Sequence, residues 1–235
     1  MTTHPNFNRV ARLYRWAEYL TLGPLLQRTR THFLPQLKNT RHAFLLGDGD
    51  GRFLARLLQQ NPDLHATAVD TSATMVALLR RRCAPAAARL HTIEADALTQ
   101  TPPPATDLIV THFFLDCLTQ PQLNTLALHL AHATAPGTLW LLSDFRIPAG
   151  PIRPLARAYI RSLYFAFRLL TSLRVTRLPD PAAALSAAGF ERIAHHHFAA
   201  GILYTELWHR TSPLNPSKPR TSAVSSPSEL TTSKL

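Results

Sequence analysis

Apolar and polar residues follow two different periodicities along the chain from about residue 42. Short apolar runs such as AFLLG and DLIVTHFF are typical of buried strands, whereas SATMVALLRRRC and PQLNTLALHLAHA repeat apolar residues at helical spacing. Pro121 suits the first turn of a helix and Gly137 suits a helix end. Strands that alternate with helices of this length predict parallel crossovers, and therefore an α/β fold with a doubly wound, mainly parallel sheet.

The two ends of the chain depart from this alternation. FERIAHHHF and LYTELWHR have no helix between them, which predicts a C-terminal antiparallel hairpin on the sheet edge. Residues 1–40 carry helically spaced apolar positions and predict an N-terminal helical lid. The main domain is expected over 41–210, with a helical insertion at 151–178 on the acceptor side of a cleft. Residues 211–235 are rich in Ser, Thr and Pro and predict a disordered tail.

Composition indicates the number of domains, the net charge and the expected cellular location. The 235 residues are 46% hydrophobic, enough for one principal domain. The formal charge is +11, and a bias towards Arg and Ala codons accounts for it as well as an anionic partner does. No uncharged apolar run reaches about 18 residues, and the N-terminus lacks the pattern of a signal peptide, so a cytoplasmic protein is expected, peripheral to a membrane at most.

The cysteines and histidines do not form a metal-binding pattern. Cys83 and Cys117 have no paired spacing, so neither a disulfide framework nor a zinc site is expected, and a reducing compartment fits. Of His195, His196 and His197, only the first and third share a strand face, and no third ligand is evident. No metal is therefore predicted. Specific nucleic-acid recognition is not expected either, because helix-turn-helix and zinc patterns are missing.

The stretch LLGDGDGRFLARLL carries the strongest chemical signal, because it places a glycine-rich turn after the first predicted strand. Gly47, Gly49 and Gly51 permit positive φ angles and close approach of a ligand, and the helix that follows offers free amides. The dinucleotide fingerprint would need a glycine where Arg52 stands. A P-loop lacks its lysine, and Arg52 also occupies a ligand position of a calcium loop.

These motifs resemble those of the class I S-adenosylmethionine-dependent methyltransferases, which have a G-x-G-x-G loop and a Rossmann-like fold. The resemblance extends over most of the chain. Asp70, which is 19 residues after Gly51, matches the acid that binds the ribose hydroxyls in that family, and Thr71 and Met75 follow it in AVDTSATM. Asp96 and Ala97 match the pair at the adenine edge. The resemblance implies S-adenosyl-L-methionine as cofactor.

The same resemblance places the methyl group beside the fourth strand. Thr111 and His112 stand where the family lines the methionine part of its cofactor, and His112 and Asp116 are the candidate bases for an acceptor hydroxyl. The N-terminal segment is similar to the lid helices of the ubiquinone/menaquinone-biosynthesis-type methyltransferases, with Tyr14 closing over the cofactor. The expected activity is methyl transfer to a small apolar or aromatic acceptor by in-line displacement (EC 2.1.1).

One position departs from the family pattern. Two residues before the first glycine, the family has an acid that fixes the amino group of the cofactor, and this chain has Leu45. Asp48 and Asp50 lie inside the loop and are the candidates to take over that contact. The complete set of expected cofactor residues is Tyr14, Gly47, Asp48, Gly49, Asp50, Gly51, Asp70, Thr71, Met75, Asp96, Ala97, Thr111 and His112.

Plainer interpretations stay open beside this one. The glycines could form only a tight turn, Asp70 could cap a helix, and Asp96 could be a solvated loop residue. The alternative function is a catalytically degenerate Rossmann-like protein that docks on anionic lipid or acts as an interaction module. It would use an arginine stripe at Arg153, Arg157, Arg161 and Arg168, which a solvated helix face explains equally well. A nicotinamide oxidoreductase is disfavoured by Arg52.

Overall fold

A computed structural model describes residues 23–171 and 178–211, and for residues 164–171 the backbone only. Seven strands form one sheet: β1 His42–Leu46, β2 His65–Asp70, β3 Leu90–Glu94, β4 Leu108–His112, β5 Leu139–Phe145, β6 Phe190–Phe198 and β7 Leu203–Arg210. The α-helices of the described residues are α1 Gly23–Thr31, α2 Arg52–Gln60, α3 Ala73–Arg82, α4 Gln120–Ala133, α5 Arg153–Thr171 and α6 Pro181–Ala187.

The sheet has the strand order β3-β2-β1-β4-β5-β7-β6. The first five strands are parallel, and β7 runs antiparallel between β5 and β6. This confirms the predicted Rossmann-like α/β fold and its C-terminal antiparallel hairpin. The order reverses between β1 and β4, so the carboxyl ends of β1, β2 and β4 meet at the switch point where open α/β sheets bind ligands.

Two apolar cores cover the two faces of the sheet. On one face, α4 and α6 pack against Phe44, Ile109 and Trp140. On the other face, α2 and α3 pack against Leu45 and Val110. Each strand contributes alternately to the two cores because successive side chains point to opposite faces.

Three of the described helices begin at a side-chain cap. Ser72 accepts a hydrogen bond from the backbone N–H of Met75 at the start of α3. Thr119 and Gln122 form a capping box at the start of α4, where Pro121 occupies the first turn as predicted. The side chain of Asp180 caps α6. Gly137 has a φ of 95° in the turn before β5, four residues beyond the end of α4.

Strand β4 is shorter than the pattern DLIVTHFF predicts. It ends at His112, because Phe113 adopts a φ of 53° and turns the chain away from the sheet. Asp107, just before the strand, accepts hydrogen bonds from the backbone N–H groups of Arg41 and His42 and joins the starts of β1 and β4.

The lid and the insertion are described in part. Of the predicted lid, α1 and a 3₁₀ turn, Leu34–Leu37, lie among the described residues, whereas Tyr14 lies outside them. Helix α5 occupies the predicted insertion, with Ala156 and Ile160 buried and Leu155 exposed. Residues 212–235 of the predicted tail are also outside the described part of the chain. No helix within 23–171 and 178–211 is long and apolar enough to cross a membrane.

Candidate functional site

The glycine loop between β1 and α2 has the backbone conformation that its sequence predicts. Gly47, Gly49 and Gly51 have φ angles of 67°, 62° and 76°, in the left-handed region that glycine adopts without strain. A Cβ on Gly47 would lie 2.7 Å from Phe114 Cδ2, and one on Gly51 would lie 2.8 Å from Leu79 Cγ. A Cβ on Gly49 would meet nothing within 4 Å. The loop is therefore packed at both ends and open at its centre.

Asp70 joins the end of β2 to the centre of this loop. Its carboxylate accepts hydrogen bonds from the backbone N–H groups of Ser72, at 2.9 Å, and of Gly49 and Thr71. Burial raises the pKa of Asp70 to about 6, although these three hydrogen bonds favour the ionised form. The carboxylate stands beside the open centre of the loop, so a carboxylate acceptor is available to hydroxyl donors there.

Asp48 and Asp50 have different surroundings within the same loop. Asp50 accepts from Arg52 Nε at 3.0 Å and from Arg82 Nη1 at 3.1 Å, so arginines of α2 and α3 hold it. Asp48 accepts a hydrogen bond from the backbone N–H of Leu54 at 3.3 Å. Burial raises the pKa of Asp48 to about 7, and the positive charge of Arg30 in α1 opposes that rise. Of the two acids, Asp48 is the one held in a desolvated position beside α1.

Leu45 fills the position where the family pattern has an acid. Its side chain is fully buried in the core against α2. On β4, Leu45 pairs with Val110, and His112 follows on the same face of the sheet. His112 is also buried, and its ring contacts Phe53 edge-on at 4.4 Å.

Asp96 and its neighbours complete the edge at β3. Asp96 follows β3 and accepts a hydrogen bond from the backbone N–H of Leu98 at 3.0 Å, which caps the 3₁₀ turn Ala97–Thr99. Ala97 and Met75 are buried. Because β3, β2 and β1 are adjacent, Asp96, Asp70 and the glycine loop follow one another along the same edge of the sheet.

The two candidate bases, His112 and Asp116, are not brought together. His112 lies on the α2 face of β4. Asp116 lies with Asp144, whose Oδ2 accepts a hydrogen bond from the Asp116 N–H at 3.0 Å, near Tyr204 of the opposite core. Burial raises the pKa of Asp144 well above its usual range, and the charge of Asp116 adds to that rise. The side chain of Thr111 also faces this core, where it accepts a hydrogen bond from Trp140 Nε1 at 2.9 Å.

Arg30 is a site residue that the sequence pattern does not single out. Its guanidinium lies 5.0 Å from the centroid of the Phe113 ring, and its charge acts on both Asp48 and His112. Arg28 stands two residues before it in the same helix, and only the packing of α1 against the sheet distinguishes the two. The location of Arg30 near the loop depends on tertiary packing, which the sequence pattern does not show.

The histidine run of β6 and the amino edge of the sheet show no metal centre. His195, His196 and His197 are exposed on the edge strand, and His196 stacks on His32 with ring centroids 4.1 Å apart. Within the described part of the chain, no group of three His, Cys, Asp or Glu side chains is arranged to hold a metal ion. A cleft at the amino edge, lined by His42, His65 and other residues, is at the opposite end of the strands from the glycine loop.

The strand order and the glycine loop after β1 are those of the Rossmann-like methyltransferase fold. A comparison of the sequence with family models gives the same class of fold. Residues 45–137, from β1 to the turn before β5, match a family model described as a methyltransferase domain. None of the curated proteins matches the chain.

Solved structures of methyltransferases share the fold at low sequence identity. The mitomycin 7-O-methyltransferase MmcR is 18% identical with a TM-score of 0.64, over 88% of this chain and 61% of its own. The S-adenosylmethionine-dependent methyltransferase SibL is 20% identical with a TM-score of 0.61, over 90% of this chain and 64% of its own. The N-methyltransferase NodS from Bradyrhizobium japonicum WM9 is 14% identical with a TM-score of 0.58, over 80% of this chain and 97% of its own. The chain thus spans about three fifths of the length of the first two.

These comparisons show that the chain has the fold of the S-adenosylmethionine-dependent methyltransferases. Both O- and N-methyltransferases are among the similar structures, so the acceptor atom is not determined by them. The finer resemblance to the ubiquinone/menaquinone-type enzymes is not confirmed.

Proposed function

We propose that the chain is an S-adenosylmethionine-dependent methyltransferase that acts on a small apolar or aromatic acceptor. The observation that carries the proposal is the open centre of the glycine loop, which lies beside the carboxylate of Asp70 at the end of β2. This arrangement lies in the segment that matches a methyltransferase domain. It offers close backbone approach and a carboxylate for two hydroxyl donors in one place.

The order of the strands suggests which residues would bind each part of the cofactor. Asp96 and Ala97, after β3, would hold the adenine. Asp70, with Thr71 and Met75 beside it, would hold the ribose at β2. The glycine loop and Asp48 would hold the methionine part at β1. When bound, S-adenosylmethionine supplies an electrophilic methyl group on a sulfonium, so the protein has mainly to orient the acceptor in line and exclude water.

The two candidate bases differ in their suitability for removing a proton. Burial and the charge of Arg30 lower the pKa of His112 well below its usual range, which makes its imidazole a weak base and keeps it neutral. We therefore assign His112 to ligand binding. Asp116 stays the proposed base for an acceptor hydroxyl, and its backbone N–H is held by Asp144.

The membrane-docking alternative gains no support from the described residues. Arg153, Arg157 and Arg161 are exposed on α5, opposite the buried Ala156 and Ile160, as on any helix with one solvated face. The side chain of Arg168 lies outside the described part of the chain. Cytoplasmic location stays a prediction.

Asp70→Asn is expected to weaken binding of S-adenosylhomocysteine, the product that occupies the same site, by about tenfold or more. The amide keeps one oxygen for the Gly49 N–H but loses the charge and one acceptor for a hydroxyl, and charge-assisted hydrogen bonds contribute roughly 1.5–3 kcal/mol each. Isothermal titration calorimetry measures the effect. Asp63→Asn is the matched control, because Asp63 pairs with Arg41 on the exposed surface before β2. Failure of the unaltered protein to bind the ligand would contradict the proposed function.

A further inference from the structure

A buried chain of hydrogen bonds links His112 to the C-terminal hairpin. His112 Nδ1 lies 3.0 Å from Ser143 Oγ of β5, and Ser143 Oγ lies 3.0 Å from Thr205 Oγ1 of β7. Thr205 Oγ1 donates to the carbonyl oxygen of Leu142 at 3.0 Å. All three side chains are at most 3% exposed. The chain thus crosses β4, β5 and β7 away from water.

The number of hydrogens in this chain decides which nitrogen of His112 carries the proton. Each hydroxyl has one hydrogen to donate. If Thr205 donates to Leu142 and Ser143 donates to Thr205, the Ser143 oxygen must accept from Nδ1–H, and three hydrogen bonds form. If Ser143 donates to Nδ1 instead, one of these bonds is lost and a buried Nε2–H donor is left. The Nδ1–H tautomer therefore satisfies more of the buried polar atoms.

This tautomer leaves an acceptor at Nε2 of His112. The Nε2 atom is buried and has no hydrogen-bond partner among the described residues. A buried acceptor without a partner costs free energy, and such atoms in native proteins commonly mark ligand sites. The acceptor lies at the end of β4, one strand from the glycine loop.

The groups around Nε2 offer both acceptors and donors to a ligand. Asp48 lies in the loop after β1 and His112 ends the adjacent strand β4, so both belong to the same edge of the sheet, and the charge of Arg30 acts on both. A carboxylate and a neutral imidazole together offer acceptors for an ammonium group, and a guanidinium offers donors for a carboxylate. This set is complementary to the zwitterionic end of an amino acid.

We propose that Ser143 and Thr205 are positioning residues that hold His112 as the Nδ1–H tautomer, so that Nε2 accepts a hydrogen bond from the ammonium group of bound S-adenosylmethionine. The inference rests on the proposed function for the identity of the ligand. It also explains why the chain needs no acid at Leu45: His112 supplies an acceptor on the same face of the adjacent strand.

Nuclear magnetic resonance of the full chain with ¹⁵N-labelled histidine tests the tautomer directly. Long-range ¹H–¹⁵N correlations distinguish a protonated ring nitrogen from an unprotonated one, and loss of signals in His112→Gln assigns them. We expect Nδ1 protonated and Nε2 unprotonated in the free protein, and a change in the Nε2 shift on saturation with S-adenosylhomocysteine. An Nε2–H tautomer in the free protein would overturn the proposal.

Two variants test the positioning role. Ser143→Ala removes the acceptor of Nδ1–H, so the Nδ1–H tautomer is expected to lose its dominance and the Kd for S-adenosylhomocysteine to rise by about tenfold. Thr205→Ser keeps the hydroxyl and is expected to keep both the tautomer and the Kd. A Ser143→Ala protein with unchanged tautomer and affinity would refute the positioning role.

The outcomes separate the inference from the proposed function. If the unaltered protein binds no S-adenosylhomocysteine, the proposed function fails, whereas the tautomer of the free protein still decides whether Ser143 positions His112. If the ligand binds without moving the Nε2 signal, the proposed function stands and the ammonium contact is wrong.

Discussion

Gly49→Ala is expected to reduce the affinity for S-adenosylhomocysteine by at least about 100-fold while the protein still folds. The new methyl group would meet no protein atom within 4 Å, so it would project into the open centre of the loop that the proposed ligand fills. A steric conflict at the closest point of approach costs more than the loss of one hydrogen bond, because the whole ligand must shift.

Gly137→Ala is the matched control for this substitution. Gly137 also has a positive φ, 95°, and a Cβ on it would also meet nothing within 4 Å, but it lies in the turn before β5 at the amino edge of the sheet. Both substitutions force alanine into a left-handed conformation at a cost of roughly 1–2 kcal/mol. The midpoint temperature of thermal unfolding should therefore fall in both variants, whereas the affinity for S-adenosylhomocysteine should fall only in Gly49→Ala. Equal affinities of Gly49→Ala and the unaltered protein would contradict the assignment of the loop.

Asp48→Asn is expected to make the free protein more stable at pH 8 and to weaken ligand binding. The pKa of Asp48 is raised to about 7 by burial, so the folded state holds this proton more tightly than the unfolded chain does. Stability from this group therefore falls as pH rises from about 4 to about 7, and above pH 7 the buried charge is a net cost. Removing the charge is expected to recover on the order of 2–4 kcal/mol at pH 8.

Asp50→Asn is the control within the same loop. Asp50 is held by Arg52 and Arg82, so its loss is expected to leave stability unchanged or slightly lower. Urea unfolding at pH 8 and pH 5 measures both variants, and the gain from Asp48→Asn should be smaller at pH 5, where only part of the interval between the unfolded and folded pKa has been crossed. An Asp48→Asn protein that is less stable than the unaltered chain at pH 8 would contradict the desolvated position of this carboxylate. A gain in stability with lost affinity is the behaviour expected of a strained binding group.

The sequence predicts the parts of the fold and site that depend on local patterns. The alternation of periodicities predicts the strands and helices, and the glycine repeat predicts the open loop after β1. Asp70 and Asp96 are found at the ends of β2 and β3, as the motifs indicate. Both also cap or brace the turns that follow them, so the plainer structural interpretation is true as well and does not exclude ligand binding.

The remaining features depend on contacts between distant parts of the chain. Ser143 and Thr205 meet His112 only because β7 inserts between β5 and β6, and no pattern in the hairpin sequence specifies that insertion. The difference between Asp48 and Asp50 arises from the burial of Asp48 and from the ion pair of Asp50 with Arg82 of α3. The truncation of β4 at His112 depends on the left-handed conformation of Phe113, a residue type that rarely adopts it.

A crystal structure of the chain with S-adenosylhomocysteine tests the central claim most directly. We expect the adenosine against Asp96 and Asp70, the ribose hydroxyls on the carboxylate of Asp70, and the amino-acid end between Gly49, Asp48 and His112. Ligand density that stands elsewhere, or its absence at a saturating concentration, would contradict the assignment of the glycine loop as the binding site.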